Sequence, residues 1–557
     1  GGGMAMELEA HGAVERRGPV LVCIVDGFGE AKHLDEYNAV HAARTPCYDR
    51  LRALKAERRA LELAAHGPAV GLPSKDDMGN SEVGHNALGG GKIYAQGAKL
   101  VDMNLASGQI FQDDGWRYVS EAFESHTLHL IGLLSSGGVH SRYNQLEQLV
   151  RRAAKDGAKK IRLHVLTDGR DVPDGTSVQY VADLEALLAE VSAGGGCDAR
   201  VASGGGRMHV TMDRYEADWG IVERGWRAHV LGEADDTFAS ASEAVKALRA
   251  DGTSDQNLRP FVVVDGDGAP VGPVQDGDAV VLFNFRSDRM VEISKAFEYP
   301  DFSHFDRKRY PQGLRFVGMM QYDGDLKLPA RYLVPPPAIT HTSGEYLARN
   351  GVRTFACSET QKFGHVTFFW NGNRSGYFDE SLETYVEVPS DRCVFNEKPR
   401  MKAEEICEAG KEALRSGRFD MVRVNFANPD MVGHTGDLAA SIVACEVCDE
   451  KVQELIDECE RLGGAWLVTS DHGNADDMVQ RKKKTGEPIR GADGQPLPLT
   501  SHTLSPVLVA CGGPALPEGW RLRDDLEEPG LANVTATFIN MLGFKAPADY
   551  EPSLLAV

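Results

Sequence analysis

The feature that most constrains this chain is a recurring unit in which a short apolar, β-branched run stops at an Asp or a His and gives way to a helix-like amphipathic stretch. Three such runs lie far apart. Val20 to Val25 ends at Asp26-Gly27, Val422 to Phe426 is followed by Asp430 and His434, and Trp466 to Thr469 is followed by Asp471 and His472. Alternation of this kind predicts an α/β architecture with largely parallel sheets. Open sheets of that class bind ligands beyond the carboxyl ends of their strands. Three ends carrying Asp and His therefore point to one shared site.

The middle of the chain repeats the alternation on its own, in HLIGLLSSGGVHSR, KKIRLHVLTDGRDVPDG, ARVASGGGRMHV, FVVVD and AVVLFNFRSDR. It has enough strands and helices for a separate domain, and 557 residues exceed one ordinary core. The glycine run Leu88-Gly89-Gly90-Gly91 and the segment Val334-Pro335-Pro336-Pro337 are the expected edges, because glycine permits bending and consecutive prolines stiffen a spacer. The expected division is a flexible tail over 1–18, one domain from 19–91 with 335–557, and a second inserted over 92–334. The segment from Arg481 to Pro498, RKKKTGEPIRGADGQPLP, is expected to be an exposed loop.

Composition excludes several classes. A net charge of −22 argues against broad attraction to nucleic acid or anionic membranes. No apolar run is long enough to span a bilayer and the N-terminal segment lacks the apolar centre of a secretory signal, so the cytoplasm is the expected location. Ten scattered cysteines without such a signal do not suggest a disulfide framework. Cys445 and Cys448 form a C-x-x-C without a second pair, and read as buried thiols on one helix face.

The stretch Asp76 to His85 sets Ser81 among glycines just before a helix-like run. Exposed backbone amides at a helix start would stabilise a phosphoserine, although a serine there is also a helix cap. A serine hydroxyl needs a metal or a base to become a nucleophile at neutral pH. Asp26, Asp430, His434, Asp471, His472 and His502 are the candidate ligands for a pair of metal ions. Each alone also fits a cap or a packing role. The separation of Asp430 and His434 places both on one side of a helical turn. Adjacent Asp471 and His472 would diverge in a strand, so both can serve only if the following loop re-aims one of them. The middle region contributes His140, Arg170, Asp171, Arg207, Arg214, Arg286 and Arg289 at successive strand ends. Arginine's planar fork suits phosphate and carboxylate, while single arginines at loop starts also occur as solvated charge. Lys362 is a further candidate.

Taken in order, DMGNSEVGH, SSGGVHS, DGRD, SGGGR, FNFRSDR, ETQKFGHVTFF, PDMVGHTG, SDHGN and SHT make the chain resemble the cofactor-independent phosphoglycerate mutases of the alkaline phosphatase superfamily, from about Val20 onward. The resemblance implies a phosphatase-like domain made of both chain ends and an inserted transferase domain that closes over 3-phosphoglycerate. It implies two divalent ions, manganese first, with cobalt, magnesium or zinc as alternatives. Asp430, His434 and His502 would hold one ion, and Asp26, Ser81, Asp471 and His472 the other. Ser81 would take the phosphoryl group from the 3-position and return it to the 2-position. His140, Arg170, Asp171, Arg207, Arg214, Arg286, Arg289 and Lys362 would bind the substrate, in a monomer. The long segment before His502 resembles a variety found in some eukaryotes. Two rivals stand beside this reading: a metal-dependent phosphomonoesterase of the same superfamily, and a phosphoglycerate-binding protein without catalysis.

Overall fold

The computed structural model describes residues 6–556 apart from 31, 170, 214, 215, 217, 325, 338, 483, 484, 492 and 493. Two compact units divide the chain, one comprising Gly1–Ala95 with Pro337–Val557 and the other Gln96–Pro336. Among the described residues, no helix is long and apolar enough to cross a membrane.

The first unit is built on a seven-stranded sheet in the order Glu383–Val388, Thr354–Glu359, Met421–Phe426, Val20–Val25, Ala465–Thr469, Val507–Gly512, Ala60–Leu63. Its first five strands are mutually parallel; Val507–Gly512 pairs antiparallel with Ala465–Thr469, and Ala60–Leu63 pairs antiparallel with Val507–Gly512. Val20–Val25 is buried on both faces, as the uninterrupted apolar run requires of a central parallel strand. Its neighbours are the two other strands singled out from the sequence. In register, Val25 faces Phe426 and Ile24 faces Thr469, so three distant segments end side by side.

The second unit has its own seven-stranded sheet, in the order Asp236–Phe238, Phe261–Val263, Asp198–Gly206, Lys160–Thr167, Thr127–Leu134, Ala279–Leu282, Arg315–Gly318. Only the pairing of Asp198–Gly206 with Phe261–Val263 is antiparallel. The expected α/β class with largely parallel sheets is what both units display.

Three local expectations need correction. The glycine run at 88–91 is no linker: Ser81–Gly90 is a helix, and Gly91 closes it in the left-handed conformation at φ 65°. A Cβ on Gly89 would lie 2.0 Å from the Trp370 carbonyl oxygen, so the glycine serves a close helix contact. The N-terminal segment from residue 6 is docked rather than flexible. Leu8 N donates to Asn350 Oδ1 at 2.9 Å, His11 N donates to the Gly543 carbonyl at 2.8 Å, and Val14 is buried. The segment after Arg481 is not a simple exposed loop either. It is cross-linked by the bridges Val479 with Pro498, Arg481 with Pro488 and Arg490 with Pro496, and Arg481 is tied to Asp35 and Asp477 at 2.8 and 2.9 Å. Cys445 and Cys448 are buried on the helix Leu438–Arg461, as read from the sequence.

Gly89→Ala should destabilise the protein by about 1–3 kcal/mol, the usual cost of overpacking a closed contact. A urea midpoint equal to that of the parent would show that the helix is not held by this approach.

Candidate metal and phosphoryl-transfer centre

The site lies where the three central strands of the first unit end. Asp26 follows Val20–Val25 directly, and Gly27 turns the chain at φ 75°; a Cβ there would sit 2.7 Å from the Asp430 Cα. Asp430 sits in the short helix Asn428–Gly433, with His434 as its last cap. Asp471 and His472 lie beyond the end of Ala465–Thr469, in irregular backbone, which frees them from strand alternation. His472 Nε2 comes within 3.3 Å of Asp471 Oδ2, so the loop does re-aim one of the pair.

Ser81 is the first residue of its helix, not the cap. Asn80 takes that role, accepting from Val83 N at 2.9 Å, and this leaves the Ser81 hydroxyl for other partners. Ser81 Oγ lies 2.9 Å from His472 Nε2, donates to Asp26 Oδ1 at 3.3 Å and accepts from Lys362 Nζ at 2.6 Å. Lys362, fully buried, also reaches Asp430 Oδ2 at 2.7 Å. The structure thus gathers Ser81, Asp26, Lys362, Asp430, His434, Asp471, His472 and His502 in one place.

The histidines are oriented for cation binding. His472 donates from Nδ1 to the Gly473 carbonyl, His434 to that of Thr500 and His502 to that of Gly79, since a carbonyl can only accept. Each Nε2 then turns its lone pair inward, the orientation that backbone carbonyls impose on metal-binding imidazoles. His434 Nε2 and His502 Nε2 stand 3.1 Å apart, and each is 3.2 Å from Asp430 Oδ1. Lone pairs and a carboxylate at such separations repel unless a proton or a cation lies among them. Donor atoms of Asp430, His472 and His502 fall within 4.8 Å of one another. The donor set therefore fits divalent metal.

The charges tell the same story. Asp26, Asp430 and Asp471 have no exposed surface. Burial, then the neighbouring Asp471 charge, pushes the Asp26 carboxyl up to about 6. Burial opposes charge on Asp430 and Asp471 too, but His434 and Lys362 hold the first, and His472 and His85 the second, below the usual carboxylate range. Burial works against positive charge on His434, yet Asp430 raises its pKa to about 9, which favours a proton or a cation at its Nε2.

His85 was missed by the sequence reading, although it lies one helical turn after Ser81. Its Nδ1 donates to the Ser81 carbonyl at 2.8 Å and stands 3.4 Å from Asp471 Oδ2, while its Nε2 accepts from Asn425 Nδ2 at 3.1 Å. With its lone pair already engaged, His85 orients Asp471 and the helix start instead of serving as an open ligand. Asn425 Nδ2 also donates to Asp26 Oδ2 at 2.9 Å, and Asn474 Nδ2 donates to Asp430 Oδ1 at 2.8 Å.

In the second unit a separate cluster forms. Arg207 NH1 reaches Asp168 Oδ1 at 2.8 Å and Asp171 Oδ2 at 2.6 Å, Arg286 Nε lies 3.2 Å from Asp288 Oδ1, and Arg289 NH1 donates to the Met212 carbonyl at 2.6 Å. His140 is buried beside them. Desolvation lowers its pKa well below the ordinary value, and the charges of Arg207, Arg286 and Arg289 add to that against the pull of Asp288. Asp168 and Asp288 are acidic partners the sequence reading passed over, each within three residues of a residue it named. Arg170 and Arg214 lie outside the described residues.

The Metalloenzyme superfamily model matches residues 18–546. A probable 2,3-bisphosphoglycerate-independent phosphoglycerate mutase 2 of Arabidopsis thaliana is 60% identical over 558 residues, covering 100% of this chain and 99% of that protein. The 2,3-bisphosphoglycerate-independent phosphoglycerate mutase of Trypanosoma brucei brucei is 56% identical, with both chains covered in full. A crystal structure of Leishmania mexicana phosphoglycerate mutase at low cobalt concentration matches with a TM-score of 0.66 at 56% identity, covering 99% of this chain and 100% of that one.

His85→Ala should weaken divalent-metal affinity by roughly 10–100-fold, as loss of a ligand-orienting partner does, and titration calorimetry on the metal-stripped protein measures it. Unchanged affinity would mean that His85 does not orient the site.

Proposed function

The chain belongs to the 2,3-bisphosphoglycerate-independent phosphoglycerate mutases of the metalloenzyme superfamily, and on that premise we propose how its residues share the work. Its reaction is the interconversion of 3-phosphoglycerate and 2-phosphoglycerate, an isomerisation of glycolysis and gluconeogenesis that depends on divalent metal and needs no 2,3-bisphosphoglycerate.

The observation that carries the assignment of roles is the Ser81 hydroxyl, freed from capping and facing Lys362, Asp26 and His472. Ser81 Oγ attacks the phosphorus of the 3-phosphate. A P–Oγ bond forms, the bond to the 3-oxygen breaks, and that oxygen leaves as the alcohol, taking up a proton in place of the one Ser81 gives up. The retained glycerate then presents its 2-hydroxyl, whose oxygen displaces Oγ from phosphorus, and Ser81 regains its proton. Lys362 donates to Oγ at 2.6 Å, which favours the deprotonated oxygen both as it attacks and as it leaves. The helix start supports a phosphoserine with backbone amides.

Asp430, His434 and His502 would hold one ion, and Asp26, Ser81, Asp471 and His472 the second. Manganese is the expected ion, and cobalt, magnesium and zinc also suit mixed Asp and His donors. Ions bound there would lower the pKa of the serine hydroxyl and offset charge on the transferring phosphoryl group. His140, Asp171, Arg207, Arg286 and Arg289, with Arg170 and Arg214 and with Lys362 from the first unit, would bind phosphoglycerate. Holding the dephosphorylated glycerate is what separates a mutase from a phosphatase. In this reading the first unit is the phosphatase-like domain and the second the transferase domain. The protein works as a cytoplasmic monomer without nucleic-acid or membrane partners, in keeping with its net charge of −22.

Ser81→Ala should lower turnover by roughly 10⁴-fold or more, the scale of losing a covalent nucleophile, with the circular dichroism spectrum and metal content retained. Phosphorus NMR of 3-phosphoglycerate with the variant checks this; full activity in the folded variant would remove Ser81 from the mechanism. Arg289→Ala should raise KM by roughly tenfold to hundredfold, as loss of a charged hydrogen bond does, without emptying the metal centre. Steady-state kinetics that match the parent would assign Arg289 no part in substrate binding.

A further inference from the structure

The second unit buries a polar chain that the phosphoryl chemistry does not use. His129, His164 and Ser203 lie on three adjacent parallel strands, and all have no exposed surface. A register shift between Leu163 and His164 sets His164 opposite Ser203. The contacts run in one line. His129 Nε2 is 3.0 Å from Asp278 Oδ2, and His129 Nδ1 is 2.9 Å from His164 Nε2. His164 Nδ1 is 2.7 Å from Ser203 Oγ, which is 2.7 Å from His229 Nδ1. His229 Nε2 is 2.8 Å from Thr211 Oγ1.

Hydrogen-bond bookkeeping fixes the direction. Asp278 also accepts from Thr127 N and Gln275 N, so its carboxylate acts as an acceptor and His129 must donate to it from Nε2. A neutral His129 then accepts at Nδ1 from His164 Nε2, and His164 accepts at Nδ1 from the Ser203 hydroxyl. Ser203 Oγ accepts from His229 Nδ1, and His229 accepts at Nε2 from the Thr211 hydroxyl. Each ring nitrogen of the three histidines is used once. Burial lowers the pKa of all three imidazoles, that of His229 to about 3; at His129 the Asp278 carboxylate pulls the other way, and Arg162 adds to burial at His129 and His164.

The chain ends at a strained residue. Thr211 has φ 66°, a left-handed conformation that a β-branched residue adopts only where its surroundings impose it. Thr211 N donates to the Ile221 carbonyl at 2.9 Å, and the carbonyl of the next residue, Met212, accepts from Arg289 NH1. In sequence Thr211 stands between Arg207 and Arg214.

We propose that Thr211 is a positioning residue for phosphoglycerate binding, held by a one-way hydrogen-bond chain through His229, Ser203, His164 and His129 to Asp278, which sets the segment from Arg207 to Met212 and, through the Met212 carbonyl, the Arg289 guanidinium. This rests on the assignment of those arginines to substrate. The hydroxyl alone closes the chain, so its removal should loosen arginine placement without touching the metal centre.

Two measurements on the full-length holoenzyme test it. Nitrogen-15 spectra of the imidazoles at neutral pH should show His129 and His164 protonated on Nε2 and His229 on Nδ1; a doubly protonated His129 or the opposite His229 tautomer would reverse the chain and overturn the inference. Thr211→Val should raise KM on the order of tenfold, about what one buried hydrogen bond is worth, with kcat and metal content near those of the parent, and Thr211→Ser should restore KM. A folded Thr211→Val protein with the parent KM would make the chain merely structural. Should that variant fail to fold, Ser203→Ala, which cuts the chain away from the loop, decides on the same criterion. If Arg289→Ala also leaves KM unchanged, the substrate assignment itself has failed and the inference falls with it; if Arg289→Ala raises KM while Thr211→Val and Ser203→Ala do not, only the inference fails.

Discussion

Three carboxylates without exposed surface, those of Asp26, Asp430 and Asp471, share the end of one sheet, and the first unit is organised around keeping them charged. Buried like charges drive one another toward protonation unless cations lie among them. Lys362 supplies one positive charge. His434, His472 and His502 turn their Nε2 atoms inward, each fixed by a backbone carbonyl behind it, an arrangement that suits a divalent cation. The hydroxyl of Ser81 sits among all of these, within reach of Lys362, Asp26 and His472.

The parallel sheet makes this arrangement possible. Adjacent strands in register bring residues about 400 positions apart into hydrogen-bond range, as Asn425 and Asp26 illustrate. The second unit meets burial of polar groups differently. Arg207 and Arg286 pair with Asp168, Asp171 and Asp288, and its core histidines with a line of partners that engages every ring nitrogen. Complete pairing is the condition on which polar groups stay rigid inside a low-dielectric core.

Much of the site was legible because its residues sit in short, unusual segments at strand ends. Asp26, Ser81, Asp430, His434, Asp471, His472 and His502 were all named from sequence, and the fold brings them together. The rest was hidden for physical reasons. Lys362 was grouped with the substrate residues, yet it donates to Ser81, a contact that no spacing reveals across 281 positions. His85 could have been found, since it follows Ser81 by one helical turn in the same motif. His129, His164 and His229 are single histidines in apolar runs, and only strand register and a bulge make them a chain. The glycine run at 88–91 read as a hinge because sequence cannot show the Trp370 carbonyl pressed against it. The docked N-terminal segment depends on Asn350 and Gly543, hundreds of residues away.

The central claim is that the phosphoryl group passes through Ser81. Rapid acid quenching of the metal-loaded enzyme during turnover of 3-phosphoglycerate, followed by peptide mass mapping, tests it most directly. The account predicts a single phosphoryl group on Ser81, appearing within one turnover and lost when substrate is removed. A phosphoryl group on another residue, or steady formation of 2-phosphoglycerate with no phosphoenzyme at any quench time, would contradict it.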